Sequence, residues 1–135
     1  MAEYPGKVRV VFKDLPLPFH EGALPAAEAA RCAGDHGRFW EYHDLLFVAQ
    51  PAFATSDLLT YAARLDLPAE SFAACLESGR HREAVKADAA EGRAAGVRGT
   101  PTFFVNGRRL VGAQSFEAFR GVIQEILREK EPRRS

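Results

Sequence analysis

Gly99-Thr100-Pro101-Thr102-Phe103-Phe104-Val105-Asn106-Gly107 is the stretch on which the fold turns. Thr102 to Val105 is a short β-branched and aromatic run bounded by turn residues, the pattern of a strand. Asn106-Gly107 is the dipeptide of a type I′ hairpin turn, whose two central residues both need positive φ. Leu110-Val111-Gly112 then reads as the returning strand, so the unit predicts a β-hairpin. Pro101 has no N–H to give to a ladder and belongs at the strand's entry. It is also a candidate for a cis bond, a state adopted by only about 5–6% of X–Pro bonds in folded proteins.

Outward from the hairpin, the C-terminal side is the clearer. Ser115 is a helix cap, and Phe116, Phe119, Val122, Ile123, Ile126 and Leu127 behind it share one helical face, with Pro132 as the stop. On the N-terminal side lies a helical block. Pro25 suits an N1 position, an alanine-rich run follows, and Gly34 ends it. Phe39, Tyr42, His43, Leu46 and Phe47, with Trp40 alongside, predict a second helix that Pro51 stops. Ser56 or Thr55 caps a third, with Leu58, Leu59, Ala62 and Leu65 inward. Pro68 opens a fourth carrying Phe72, Cys75 and Leu76, closed by Ser78-Gly79. Arg80 to Ala95 forms a fifth, with Val85 and Ala89 inward. Ahead of all this, Lys7 to Lys13 alternates as a strand after the turn Tyr4-Pro5-Gly6. Strands framing several helices predict an α/β domain with helices packed on a sheet.

Here the residues resemble a family. Gly96-Val97-Arg98-Gly99-Thr100-Pro101-Thr102-Phe103-Phe104-Val105-Asn106-Gly107 with Leu110-Val111-Gly112-Ala113 is similar to the cis-proline hairpin of DsbA-like thioredoxin-fold proteins. The resemblance continues through Ser115-Phe116-Glu117-Ala118-Phe119, and Phe39 to Phe47 matches the family's helical insert. It implies a single thioredoxin-like α/β domain of DsbA type over residues 1–135. The all-helical insert would span about 23–95, and the cis-proline hairpin and last helix about 97–130. It implies a thiol–disulfide oxidoreductase lineage in which Thr100 and Pro101 dock the backbone of a cysteine-containing or extended polypeptide. Yet the two cysteines, Cys32 and Cys75, do not form a Cys-x-x-Cys. The resemblance therefore implies a chain that begins after the family's first strand and active-site helix, N-terminally truncated, with no catalytic dithiol of its own. The expected sheet then has open edges, so the strands at Val8–Phe12 and Thr102–Val105 would pair directly, or a homodimer would fill the gap. Rival readings are a non-catalytic chaperone or adaptor module that holds peptide by strand addition, and a truncated gene product without independent function.

Cys32 and Cys75 admit three readings from the residues alone: a redox pair, a bridge between two helices, or two buried thiols. The resemblance favours a structural disulfide within the insert. No metal site is expected. Cys32, His36 and His43 suggest one, but Gly34 and Gly37 break the helix that would align them. His20, near a turn where the family has a histidine, reads as structural, for no nucleophile lies beside it. Gly92, Gly96 and Gly99 lack the strand and the Gly-Lys-Ser/Thr of a phosphate loop, and no cofactor is implied. Asp35, Glu41, Asp44 and Asp88 read as solvated faces or caps, and the aromatic cluster Phe39, Trp40, Tyr42 and Phe47 as core.

Composition narrows the field further. The chain carries 18 basic and 18 acidic residues, which excludes an electrostatic case for nucleic acid or an anionic membrane. Hydrophobic residues make up 47%, enough for a real core, yet no run approaches a membrane span. Family resemblance implies an extracytoplasmic location. The start at Met1 shows no export signal, which implies the cytoplasm if the protein begins there.

Overall fold

The computed structural model describes residues 4–17, 22–50 and 52–130. In order, the elements are α1 (Ala23–Gly34), α2 (Phe39–Ala49), α3 (Thr55–Arg64), α4 (Ala69–Ser78), α5 (Arg82–Ala94), β1 (Thr102–Val105), β2 (Arg108–Val111) and α6 (Phe116–Glu129). They fall into two compact units, Met1–Gly92 and Arg93–Ser135.

The first unit is built on α1. Ala26, Ala29, Ala30 and Ala33 form its buried face, and their small side chains let neighbouring helices come close. Tyr42 of α2, Leu58, Tyr61 and Ala62 of α3, and Phe72 and Cys75 of α4 complete this core. The rings of Tyr42 and Phe72 lie 5.6 Å apart. Buried hydroxyls need partners: Tyr42 donates to the Leu58 carbonyl at 2.8 Å, and Tyr61 to that of Ala52 at 2.7 Å. Burial pushes the Tyr42 hydroxyl well above the usual tyrosine range, helped by the nearby Tyr61.

Several expectations hold and several are corrected. Gly79 closes α4 in the left-handed conformation, and Val85 and Ala89 are the buried residues of α5. α1 starts earlier than Pro25 suggested, leaving Pro25 inside the first turn, where its missing N–H is equally harmless. Neither Thr55 nor Ser56 caps α3. Its cap position is Ala54, whose N–H donates to the Asp57 carboxylate at 3.1 Å. Leu59 turns outward and Tyr61 takes the inner place. The aromatic cluster of α2 divides: Tyr42 enters the core, while Trp40 and Phe47 stay exposed. Pro18, Phe19, His20, Pro51 and Pro132 lie outside the described residues.

The largest correction concerns Lys7–Lys13, which forms no strand; among the described residues the one sheet is β1-β2. The direct pairing of Val8–Phe12 with Thr102–Val105 is therefore absent. The segment is held by side chains instead. Phe12 sets its ring against Phe39 at 5.5 Å and His43 at 5.0 Å. Asp14, only 5% exposed, accepts from Arg31 Nε at 2.7 Å, while its own N–H donates to Asp88 at 3.0 Å. Arg31 Nη2 also donates to Asp88 at 2.7 Å. Asp88 is thus part of a largely buried ion cluster and not a solvated face.

The second unit is a hairpin against a helix. β1 and β2 run antiparallel, with Val105 opposite Arg108 and Thr102 opposite Val111. Asn106 at φ 49° and Gly107 at φ 87° supply the two positive φ values of the turn. Phe103 meets Phe119 of α6 edge to face at 4.7 Å. Arg108 reaches Glu125 at 2.6 Å and Glu129 at 2.5 Å. Ser115 caps α6 by accepting from the Ala118 N–H at 3.2 Å. Of the six residues expected on the inner face, Ile126 is buried, whereas Phe116 is 63% exposed.

Candidate functional site

The Thr100–Pro101 peptide bond is cis. Around it the backbone is partly committed and partly free. The Pro101 carbonyl accepts from the Gly112 N–H at 2.8 Å, which ties the loop to the end of β2. Thr102 donates its hydroxyl to the Gly99 carbonyl at 2.8 Å, closing the turn before the strand. Thr100 sits between these anchors, exposed, and among the described residues its N–H and carbonyl have no hydrogen-bond partner. A fixed loop with a free donor and a free acceptor is the arrangement that an extended peptide can extend by backbone pairing. Both faces of the hairpin beside it keep apolar surface: Phe103, Phe104 and Val111 are exposed. Arg109 stacks over Phe104 at 5.3 Å and donates to the Ala95 carbonyl, linking the hairpin to the residues after α5.

The sulfur chemistry lies in the first unit. Cys32 of α1 and Cys75 of α4 are joined in a disulfide, with Cα atoms 6.0 Å apart and a sequence separation of 43. Both are buried. On the chain-entropy account, closing such a loop stabilises by about 4 kcal/mol. Sequence reasoning missed the groups beside this bridge. Asp35, in the cap position after α1, accepts from Arg80 and lies 2.8 Å from His81 Nε2. Burial works against its ionisation, but the hydrogen bonds and charges of His81 and Arg80 outweigh it and hold the carboxyl below its ordinary range. Separations of 45 and 46 residues hide these pairs from any local pattern. His36 and His43 do not join the group; His43 stacks instead on Phe47 at 4.6 Å.

Comparison with known proteins follows the same lines. A thioredoxin family model matches residues 1–125. The thiol–disulfide exchange protein alpha-DsbA2 from Wolbachia pipientis superposes with a TM-score of 0.77 over 86% of this chain and 64% of that one, at 19% identity. The fold is thus thioredoxin-like. The chain belongs to the thioredoxin family. In sequence it is 44% identical over 117 residues to Na(+)/H(+) antiporter NhaA 1 of Salinispora arenicola and 40% identical over 112 residues to NhaA of Herminiimonas arsenicoxydans. It covers 86% and 83% of itself in these matches but only 18% of either relative, so it spans less than a fifth of the curated relatives it matches. Among the described residues no helix is long and apolar enough to cross a membrane.

Proposed function

We propose that this chain is the peptide-docking part of a DsbA-type thiol–disulfide oxidoreductase, its 135 residues holding no Cys-x-x-Cys. As it stands it grips extended, cysteine-containing polypeptide at Thr100 and Pro101 without exchanging disulfides. The observation that carries this reading is the exposed backbone of Thr100, whose N–H and carbonyl have no hydrogen-bond partner among the described residues. In a complete enzyme, a thiolate stabilised at a helix N-terminus attacks the substrate disulfide and its partner cysteine resolves the mixed disulfide. Here the sole pair of cysteines is buried and bonded to itself, which leaves no accessible nucleophile.

A second copy of the chain is the other partner that the open hairpin edges favour, since unpaired strand edges recruit strands. A bridge between Cys32 and Cys75 suits an oxidising compartment, and extracytoplasmic location is part of the same proposal.

Fluorescence anisotropy with a labelled extended peptide tests the central reading. Binding that survives replacement of both cysteines by serine, and falls at least about tenfold in Thr100→Pro through loss of one backbone hydrogen bond, supports it. Equal binding by parent and Thr100→Pro overturns it. Insulin reduction by the isolated chain, lost in Cys32→Ser, would refute the claim that it performs no exchange.

A further inference from the structure

The Cys32–Cys75 bridge is not surrounded by apolar side chains alone. Two further metal-ligating groups lie beside it: Asp35 in the cap position after α1, and His81 in the turn before α5. The two sulfurs and one ring nitrogen of His81 all lie within 4.8 Å of one another. Asp35 Oδ2 is 2.8 Å from His81 Nε2 and 3.6 Å from Cys75 Sγ. The latter is a contact and not a hydrogen bond, because a bridged sulfur carries no proton. Arg80 Nη2 donates to the same oxygen, Oδ2.

We propose that, once the bridge is reduced, Cys32, Cys75 and His81, with Asp35 as fourth donor, bind a zinc ion. Tetrahedral zinc with sulfur at about 2.3 Å and nitrogen or oxygen at about 2.0–2.2 Å sets its donor atoms about 3–4 Å apart. The His81, Asp35 and Cys75 atoms are near that spacing already, so the main movement needed is separation of the two sulfurs. Charge also balances. Two thiolates and one carboxylate around a divalent ion leave one negative charge, which Arg80 offsets. The fixed turn between α4 and α5 supports His81: Ser78 Oγ donates to the Cys75 carbonyl at 2.7 Å and accepts from the Arg80 N–H at 3.2 Å. Outer partners of this kind hold a ligand in place.

The conversion balances with a dithiol as reductant. Its two thiols give two electrons and two protons to the Cys32–Cys75 disulfide and close into a disulfide of their own. Zinc then displaces two protons from the new thiols as two Zn–S bonds form. The domain would thereby exchange one cross-link between α1 and α4 for another as the surroundings turn reducing.

The test uses the full chain, reduced and freed of reductant without air, and titrated with cobalt(II) as a spectroscopic stand-in for zinc. A thiolate-to-cobalt charge-transfer band, with the visible bands of tetrahedral cobalt, should saturate at one ion per chain and vanish on adding zinc. His81→Ala and Asp35→Asn should each weaken binding at least about tenfold. No thiolate band overturns the proposal, as does a band whose affinity ignores both substitutions, since the sulfurs alone would then be responsible. Should the reduced apo chain unfold, circular dichroism decides: zinc must restore helix in the parent and fail to do so in His81→Ala, and any other pattern counts against the site.

Discussion

The two units of the molecule solve the problem of stability differently. Met1–Gly92 buries rings and alanines in a continuous core, locks two helices through a disulfide, and pins its leading segment by Asp14, Arg31 and Asp88. Among its described residues, Arg93–Ser135 buries one large side chain, Ile126, and otherwise rests on a two-residue turn, one aromatic contact and exposed ion pairs around Arg108. Surface pairs of that kind contribute little. The residues proposed to dock peptide thus sit in the thinly buried unit, where backbone remains free, and the sulfurs sit in the thickly buried one. Docking needs exposed hydrogen-bonding groups; a core forbids them.

The sharpest way to break this comparison is at the bridge. Replacing both cysteines with alanine should cost about 4 kcal/mol in denaturant unfolding followed by far-UV circular dichroism. A loss under about 1 kcal/mol would mean that the helical unit does not depend on it. Next comes packing: Leu58→Ala, at a fully buried site, should cost about 3 kcal/mol, whereas Val111→Ala, on the exposed hairpin, should stay within about 0.5 kcal/mol. Similar values for the two would erase the contrast. In the lighter unit the helix cap is a smaller lever, and Ser115→Ala should cost about 1 kcal/mol. Amide exchange in α6 should slow correspondingly less than in α1 and α4.

The smallest effects are those of pH. The folded Asp35 carboxyl titrates below its ordinary 3.8, so its contribution is complete above that value and fades as pH falls through the lower folded value. Asp35→Asn should therefore destabilise by about 0.5 kcal/mol at neutral pH and by nothing once the carboxyl is protonated. Asp14 has the opposite sign. Burial raises it, against the pull of Arg31, so its contribution is present below the ordinary value and lost as pH climbs through the raised one. Thermal unfolding of Asp35→Asn and Asp14→Asn across the acid range reads both slopes; slopes of equal sign would contradict the two environments described.

What the sequence disclosed depended on distance along the chain. Asn106-Gly107 determines its own turn through the φ values it tolerates, and Ser115 makes its cap bond within a few residues, so both were legible. Lys7–Lys13 shows the limit. Its alternation is that of a strand, but a strand exists only where a partner offers a ladder, and the partner is not encoded in the segment. The bond between Cys32 and Cys75 followed from family resemblance and not from spacing. The contacts of Asp14 with Asp88, and of Asp35 with His81, join residues far apart in sequence and leave no local mark. A histidine beside an arginine in a helix-to-helix turn reads as ordinary until α1 is laid against it.

The alanine face of α1 carries one last implication. Where α1 offers only methyl groups to the rings and leucine packed on it, its side of the core is set by the smallest chiral side chain available. Positions 26, 29, 30 and 33 therefore leave inheritance almost no latitude: a valine at Ala29 would wedge its neighbours outward, and only glycine or serine could replace it without doing so.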